Sequence, residues 1–182
     1  MNSLLHRVPL SRISPSSFLA CVEIPSHSKN KYEYDEECGA LRLDRILYTS
    51  THYPHNYGFI PRTWGLDEDP LDVMIVSSET IVPLALVDCK PIGLLEMKDG
   101  GKSDEKILAV CVNDPVYSAF TDIHQLPSHL FEEIRHFFSV YKQLELGKYT
   151  EIKGFKGVED AYETIEKAIS RYKKKFPEES GE

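Results

Sequence analysis

The segment Asp67-Glu68-Asp69-Pro70-Leu71-Asp72-Val73 restricts this chain more than any other. Pro70 is incompatible with a helix interior, so the aspartates cannot form a helical face. In extended backbone alternate side chains share a side, which puts Asp67 and Asp69 together. The change of direction at Pro70 can bring Asp72 back toward them. Carboxylates held that close repel one another unless a cation sits among them. Oxygen-only donors suit a hard divalent ion, Mg²⁺ above all. A calcium-binding EF-hand loop is excluded, because it needs glycine at its sixth position and glutamate at its twelfth. Counted from Asp67, those positions are Asp72 and Ser78. On the run alone, a solvated acidic loop remains an alternative.

The bulk numbers narrow the partners. A chain of 182 residues with 41% hydrophobic content suits one compact domain spanning 1–182. A net charge of -8 argues against general nucleic-acid binding, which depends on Lys and Arg meeting phosphates. An acidic protein acting on an anion needs bound metals or a local basic cluster. The cysteines Cys21, Cys38, Cys89 and Cys111 are scattered, which predicts free thiols in a reducing compartment, hence the cytoplasm. No apolar run approaches the ~18 residues of a membrane span. Residues 1–17 lack the apolar stretch of a secretory signal and read as an N-terminal arm. Residues 177–182 read as a disordered tail.

Strands come first and helices last. Phe18–Ile24, Lys31–Asp35, Leu41–Tyr48, Val73–Val76, Ala85–Lys98 and Lys106–Val112 read as strands, the second and third forming a hairpin. Tyr53–Phe59 reads as a tight loop presenting hydroxyls, with His52 and His55 as polar loop residues. Asp99–Asp104 reads as a glycine-bearing polar loop. Leu130, Ile134, Phe137, Phe138, Tyr141 and Leu144 recur with helical spacing, with Ser128 as the cap. Val158, Ala161, Ile165, Ala168, Ile169 and Tyr172 form a second stripe ending in Lys173, Lys174 and Lys175. The order points to an α+β fold, a small antiparallel β-barrel with two C-terminal helices outside.

Asp99 and Asp104 raise the carboxylate count to five, enough for two or more metals completed by water. Lys31, Glu33 and Arg45 lie on neighbouring strand runs, Lys106 follows the second acidic loop by two positions, and Tyr141 and Lys142 sit on the first helix. Lys31 and Glu33 face the same way in a strand. Taken singly, each of these cations reads as a solvated side chain.

Val22-Glu23-Ile24-Pro25, Lys31-Tyr32-Glu33, Leu43-Asp44-Arg45, Tyr53-Pro54-His55-Asn56-Tyr57-Gly58, the aspartate run and Tyr141-Lys142 occur in one order. This ordered set resembles the soluble family I inorganic pyrophosphatases over Glu23 to Tyr149. The resemblance implies a five-stranded OB-like barrel and Mg²⁺-dependent hydrolysis of inorganic diphosphate, with Mn²⁺, Zn²⁺ or Co²⁺ as substitutes. It implies metal ligands at Asp67, Asp72, Asp99 and Asp104, with Glu23 and Glu33 completing outer or accessory shells, and Asp69 as the base that takes a proton from water. It implies phosphoryl binding by Lys31, Glu33, Arg45, Tyr57, Lys106, Tyr141 and Lys142, with Tyr53 in support. Of these, Lys31, Arg45, Tyr57 and Lys106 join Asp69 as the catalytic set. It implies a homohexamer, in which His136 matches an interface histidine and Val140 replaces that histidine's partner. Three further departures stand out: Glu68 at a position usually small or turn-prone, Gly100 where many members carry an acid, and Tyr149 in place of a tryptophan. Other readings are an OB-type binding module for nucleic acid or a protein partner, and a nucleotide phosphohydrolase.

Overall fold

The computed structural model describes residues 3–177, so most of the expected disordered tail lies outside the described residues. The arm folds into a one-turn helix, α1 (Leu4–Arg7), and a short strand, β1 (Ile13–Ser14). The strands β2 (Ser17–Ile24), β5 (Asn56–Phe59), β6 (Asp72–Val76), β7 (Leu86–Asp99), β8 (Lys102–Cys111) and β9 (Thr150–Lys156) join β1 in one sheet. A separate hairpin pairs β3 (Asn30–Asp35) with β4 (Ala40–Ile46), as expected. The helices α2 (Ser128–Val140) and α3 (Val158–Lys175) complete an α+β fold.

The sheet runs β1-β2-β5-β6-β8-β7-β9, and β2 pairs with β7 as well as with β5. Pairing therefore returns to β2 through five strands. The expectation of a purely antiparallel sheet needs correction: β6 and β8 are parallel, Val73 opposite Ile107 and Ile75 opposite Ala109. The long hairpin β7–β8 folds back so that its second strand, not its first, lies against β6. That placement aligns Asp72 with Lys106.

Burial on both faces explains the unbroken apolar run at β6. Val73 and Ile75 pack in one cluster with Ala161, Ile165 and Ala168 of α3. Met74 and Val76 pack in a second with Ile134, Phe137 and Phe138 of α2. Helix α2 ends at Val140; Tyr141 follows buried, while Leu144 at the end of the predicted stripe is exposed. Its N-cap is Pro127, without a side-chain cap bond, so Ser128 is the first helical residue rather than the cap.

Two strands depart from the sequence reading. The segment expected to be a loop at Tyr53–Phe59 contains β5, buried at all four positions and paired on both sides. Its asparagine and glycine are strand residues with packing roles. A Cβ on Gly58 would stand 1.9 Å from the Cys21 carbonyl oxygen, so only glycine lets β5 approach β2. Asn56 accepts from the amides of Ser26 (3.0 Å) and Ile81 (2.9 Å), and donates to Ser77 Oγ (2.7 Å) and the Glu79 carbonyl (3.0 Å). This satisfies a buried amide completely. His55, expected in a polar loop, is buried beside it. The second departure, β9, is the edge strand outside β7. The expected polar loop at Asp99–Asp104 shrinks to a turn at Gly100 and Gly101, both at positive φ (55° and 88°), and Asp104 belongs to β8.

Candidate active site

The loop between β5 and β6 owes its shape to buried anchors. Thr63 Oγ1 donates to the Ile60 carbonyl at 2.5 Å and accepts from the Leu71 amide at 3.0 Å. The Trp64 amide reaches the Ala168 carbonyl of α3 at 3.0 Å, and the Gly65 amide closes on the Asp69 carbonyl at 2.7 Å. A Cβ on Gly65 would lie 2.5 Å from Asp67 Oδ1, so the glycine makes room for that carboxylate. Glu68 sits at φ +73°, in the left-handed region that Gly and Asn adopt most readily. This is why a turn-prone residue is expected there. Glu68 is exposed and is not among the lining residues of the cavity its neighbours line.

That cavity measures about 320 Å³ and gathers most of the residues singled out from sequence. Asp67 and Asp69 reach it from the loop, Asp72 from the start of β6, and Asp99 and Asp104 from β7 and β8. Facing them are Lys31 and Glu33 on β3, Lys106 on β8, and Tyr141 and Lys142 just past α2. Glu23, Tyr53 and Tyr57 line it too. Arg45 is not among the lining residues.

The acids and cations are interleaved. Lys106 is buried and forms ion pairs with Asp72 and with Asp104, the latter at 2.5 Å. Tyr57 donates its hydroxyl to Asp72 Oδ2 at 2.7 Å. Lys142 pairs with Asp99, and Lys31 pairs with Glu33 and, at 3.2 Å, with Asp44. Asp44 also accepts from Arg45 Nη1 at 2.5 Å, and Glu145 accepts from Arg45 Nε at 2.8 Å. The remaining nitrogen, Arg45 Nη2, is buried and has no hydrogen-bond partner among the described residues.

Crowding shows in the titration behaviour. Burial, with Asp72 nearby, raises Asp67 and Asp69 above the usual carboxylate range. Asp104 is raised by burial and by Asp72 although Lys106 opposes this. Burial pushes Glu23 up to about 8, against the pull of the Tyr34 amide that donates to it at 2.7 Å. Burial alone would lower Lys106, but Asp72 and Asp104 outweigh it and hold the ammonium charged. Burial raises Tyr53, Tyr57 and Tyr141, so all three are neutral donors. Such a cavity accepts more positive charge. Its donors are all oxygens, which fits a hard divalent cation. Among the described residues no three acidic, histidine or cysteine side chains close on one point; the ammonium group of Lys106 stands between Asp72 and Asp104, and that of Lys142 is paired with Asp99.

Sequence reasoning missed Asp44 and Glu145. Glu145 is buried and joins Arg45 to Lys148, whose Nζ lies at 2.7 Å. Both cations hold its carboxyl below its ordinary value despite burial. No local pattern marks it, because Arg45 is distant in the chain. Asp44 stood inside a recognised motif, and its acidity beside Arg45 was the available signal.

Known proteins match this chain in sequence and in fold. A model of the inorganic pyrophosphatase family matches residues 20–173. The inorganic pyrophosphatase of Aquifex pyrophilus is 43% identical over 169 residues, spanning 92% of this chain and 96% of that one. Soluble inorganic pyrophosphatase 1 of Arabidopsis thaliana is 44% identical over 167 residues, spanning 92% of this chain and 78% of that one. The solved inorganic pyrophosphatase from Helicobacter pylori superposes with a TM-score of 0.88 at 40% identity, covering 92% of this chain and 99% of that one. That from Thermus thermophilus gives 0.89 at 37%, covering 93% and 98%. With cavity, motifs and fold in agreement, this chain is a member of family I of the soluble inorganic pyrophosphatases.

Proposed function

We propose that this protein hydrolyses inorganic diphosphate to two phosphates with the aid of divalent cations. The observation that carries this reading is the facing of five aspartates and three lysines across one cavity of about 320 Å³. Diphosphate is a dense polyanion. Lysines alone would bind it, and the aspartates would repel it unless cations enter with it. Family membership supports a divalent metal. The finer reading is several Mg²⁺ ions per site, with Mn²⁺, Zn²⁺ or Co²⁺ as substitutes.

In this reading Asp67, Asp72 and Asp104 hold metal, and Asp99 with Asp104 holds more. When bound, the metal supplies neutralising charge and makes water more acidic. Asp69 takes the proton from the attacking water. Burial and Asp72 raise its carboxyl above the usual carboxylate range, the direction that favours a general base. Asp72, Asp99 and Asp104 are each held by a lysine, which leaves Asp69 better placed for that work. Lys31, Lys106, Lys142 and Arg45 bind phosphoryl oxygens and stabilise charge on the leaving phosphate. Arg45 Nη2 is a buried donor without an acceptor among the described residues, and Arg45 has to turn toward the cavity to give that donor to a phosphoryl oxygen. Tyr57 and Tyr141 donate neutral hydrogen bonds, Glu33 sets Lys31, and Tyr53 packs against Tyr57.

Three wider readings belong with this one. The five strands whose pairings return to β2 are read as an OB-like barrel. The single domain is read as cytoplasmic and hexameric, with no nucleic-acid or membrane partner. Free cysteines support the first point, and no helix among the described residues is long and apolar enough to cross a membrane. Light scattering tests the assembly. Phosphate release from diphosphate, from a nucleoside triphosphate and in the presence of a single-stranded oligonucleotide tests the activity. Fast Mg²⁺-dependent release from diphosphate alone is expected. Preference for the nucleotide, or salt-dependent oligonucleotide binding without hydrolysis, would replace this reading with one of the alternatives.

A further inference from the structure

Cys89 on β7 and Cys111 at the end of β8 are Cα partners in the antiparallel ladder. The Val112 amide donates to the Asp88 carbonyl at 2.9 Å. That bond flanks the 89/111 position and makes it a non-hydrogen-bonded pair, the kind whose Cα atoms approach to about 4.5 Å. Directly opposed residues project from the same face of the sheet. A disulfide needs Cα atoms roughly 4.4–6.8 Å apart, so the backbone already meets its main requirement. Both side chains face one apolar cluster, Cys89 within it and Cys111 at its margin. Both are free thiols. The other cysteines are placed differently: Cys21 lies opposite Phe59 and Leu86, and Cys38 is exposed in the β3–β4 turn.

We infer that Cys89 and Cys111 form a thiol-oxidation site, which a hydroperoxide converts to a reversible cross-strand disulfide. Cys111 is the partly exposed member, and its sulfur attacks the peroxide. One peroxide oxygen stays on that sulfur as a sulfenic acid, and the other leaves as water or an alcohol. The Cys89 sulfur then displaces the sulfenic hydroxyl as water and the S–S bond forms. Two thiols are oxidised and one peroxide is reduced, with no further reactant. Burial and the adjacent Cys111 hold the Cys89 thiol well above its usual titration range, which makes it the second to react. Cys111 lies seven residues beyond Asp104 on β8, about 23 Å away at the rise of a strand. The site is therefore separate from the aspartate cavity, and this inference stands independently of the proposed hydrolysis.

The test uses the native full chain, treated with hydrogen peroxide, quenched, unfolded and titrated for thiols, with alkylation and peptide mapping. The chain has four cysteines, and a loss of two thiols is expected, with one linked peptide joining Cys89 to Cys111. Dithiothreitol should restore all four. Cys111→Ser should give no linked peptide, and its margin position avoids the packing defect that replacing buried Cys89 risks. The inference is overturned if Cys89 and Cys111 both remain alkylatable. It is equally overturned if Cys111 over-oxidises while Cys89 stays free, or if the only disulfide joins two chains through Cys38.

Discussion

Replacing Lys106 by methionine removes the cation that separates Asp72 from Asp104. Lys106 is 4% exposed and Asp104 8%, so the Asp104 carboxylate cannot turn freely to water once the ammonium is gone. Breaking a buried pair on one side costs about 3–5 kcal/mol. The Asp72 side chain is 26% exposed, which favours the lower end, ~3 kcal/mol. For a chain of this size each kcal/mol moves the melting midpoint by roughly 2–4 °C, so a fall of about 6–12 °C is expected without metal. A divalent cation should then restore more stability to the variant than to the parent, because it replaces the missing charge. Turnover should fall by roughly 10²–10³ in the presence of metal, the loss of one charge stabiliser. The assay is thermal unfolding with and without Mg²⁺, paired with phosphate release. An unchanged midpoint without metal, or equal stabilisation of both proteins by Mg²⁺, would refute the claim that Lys106 fills the place of a cation between these acids.

Three further outcomes follow from the same structure. Burial, with His27 nearby, lowers the folded pKa of His55 from 6.5 to about 4, so its stabilising contribution is whole above 6.5 and lost as pH falls toward 4. The loss approaches about 3 kcal/mol, and His55→Gln should flatten the parent's fall in urea stability over that window; parallel curves would exclude His55 as the cause. Glu68→Gly relieves a left-handed residue and should raise stability by about 0.5–1 kcal/mol, read as a higher urea midpoint; a lower midpoint would show that Glu68 is not strained. Glu145→Gln should loosen Arg45 and weaken diphosphate binding by about tenfold, close to one charge-assisted hydrogen bond. Combined with Arg45→Gln it should add little, whereas additive losses would separate the two residues.

Much of this was readable before any coordinates. The helical stripes of α2 and α3 and the β-prone runs of β3 and β4 are local signals, and the structure carries all four elements. The carboxylates were legible because acids crowded around a proline repel one another unless a cation binds among them. What stayed hidden was non-local. Asn56 and Gly58 carry turn chemistry, yet their use is to bind and admit neighbouring strands distant in sequence. The parallel match of β6 to β8, which sets Asp72 beside Lys106, depends on how a long hairpin folds back. Glu145 has no meaning until Arg45 arrives beside it. Glu68, conspicuous as an extra acid, proved to matter through its backbone, since its side chain does not line the cavity.

The central claim is that the aspartates of this cavity direct water onto diphosphate, with Asp69 as the base. Steady-state phosphate release from diphosphate at saturating Mg²⁺, measured for the parent chain and for Asp69→Asn of matched fold and melting midpoint, tests it most directly. Rapid release by the parent and a fall of at least about a hundredfold in the variant are expected. Near-parental release by Asp69→Asn, or no release by the well-folded parent, would contradict it.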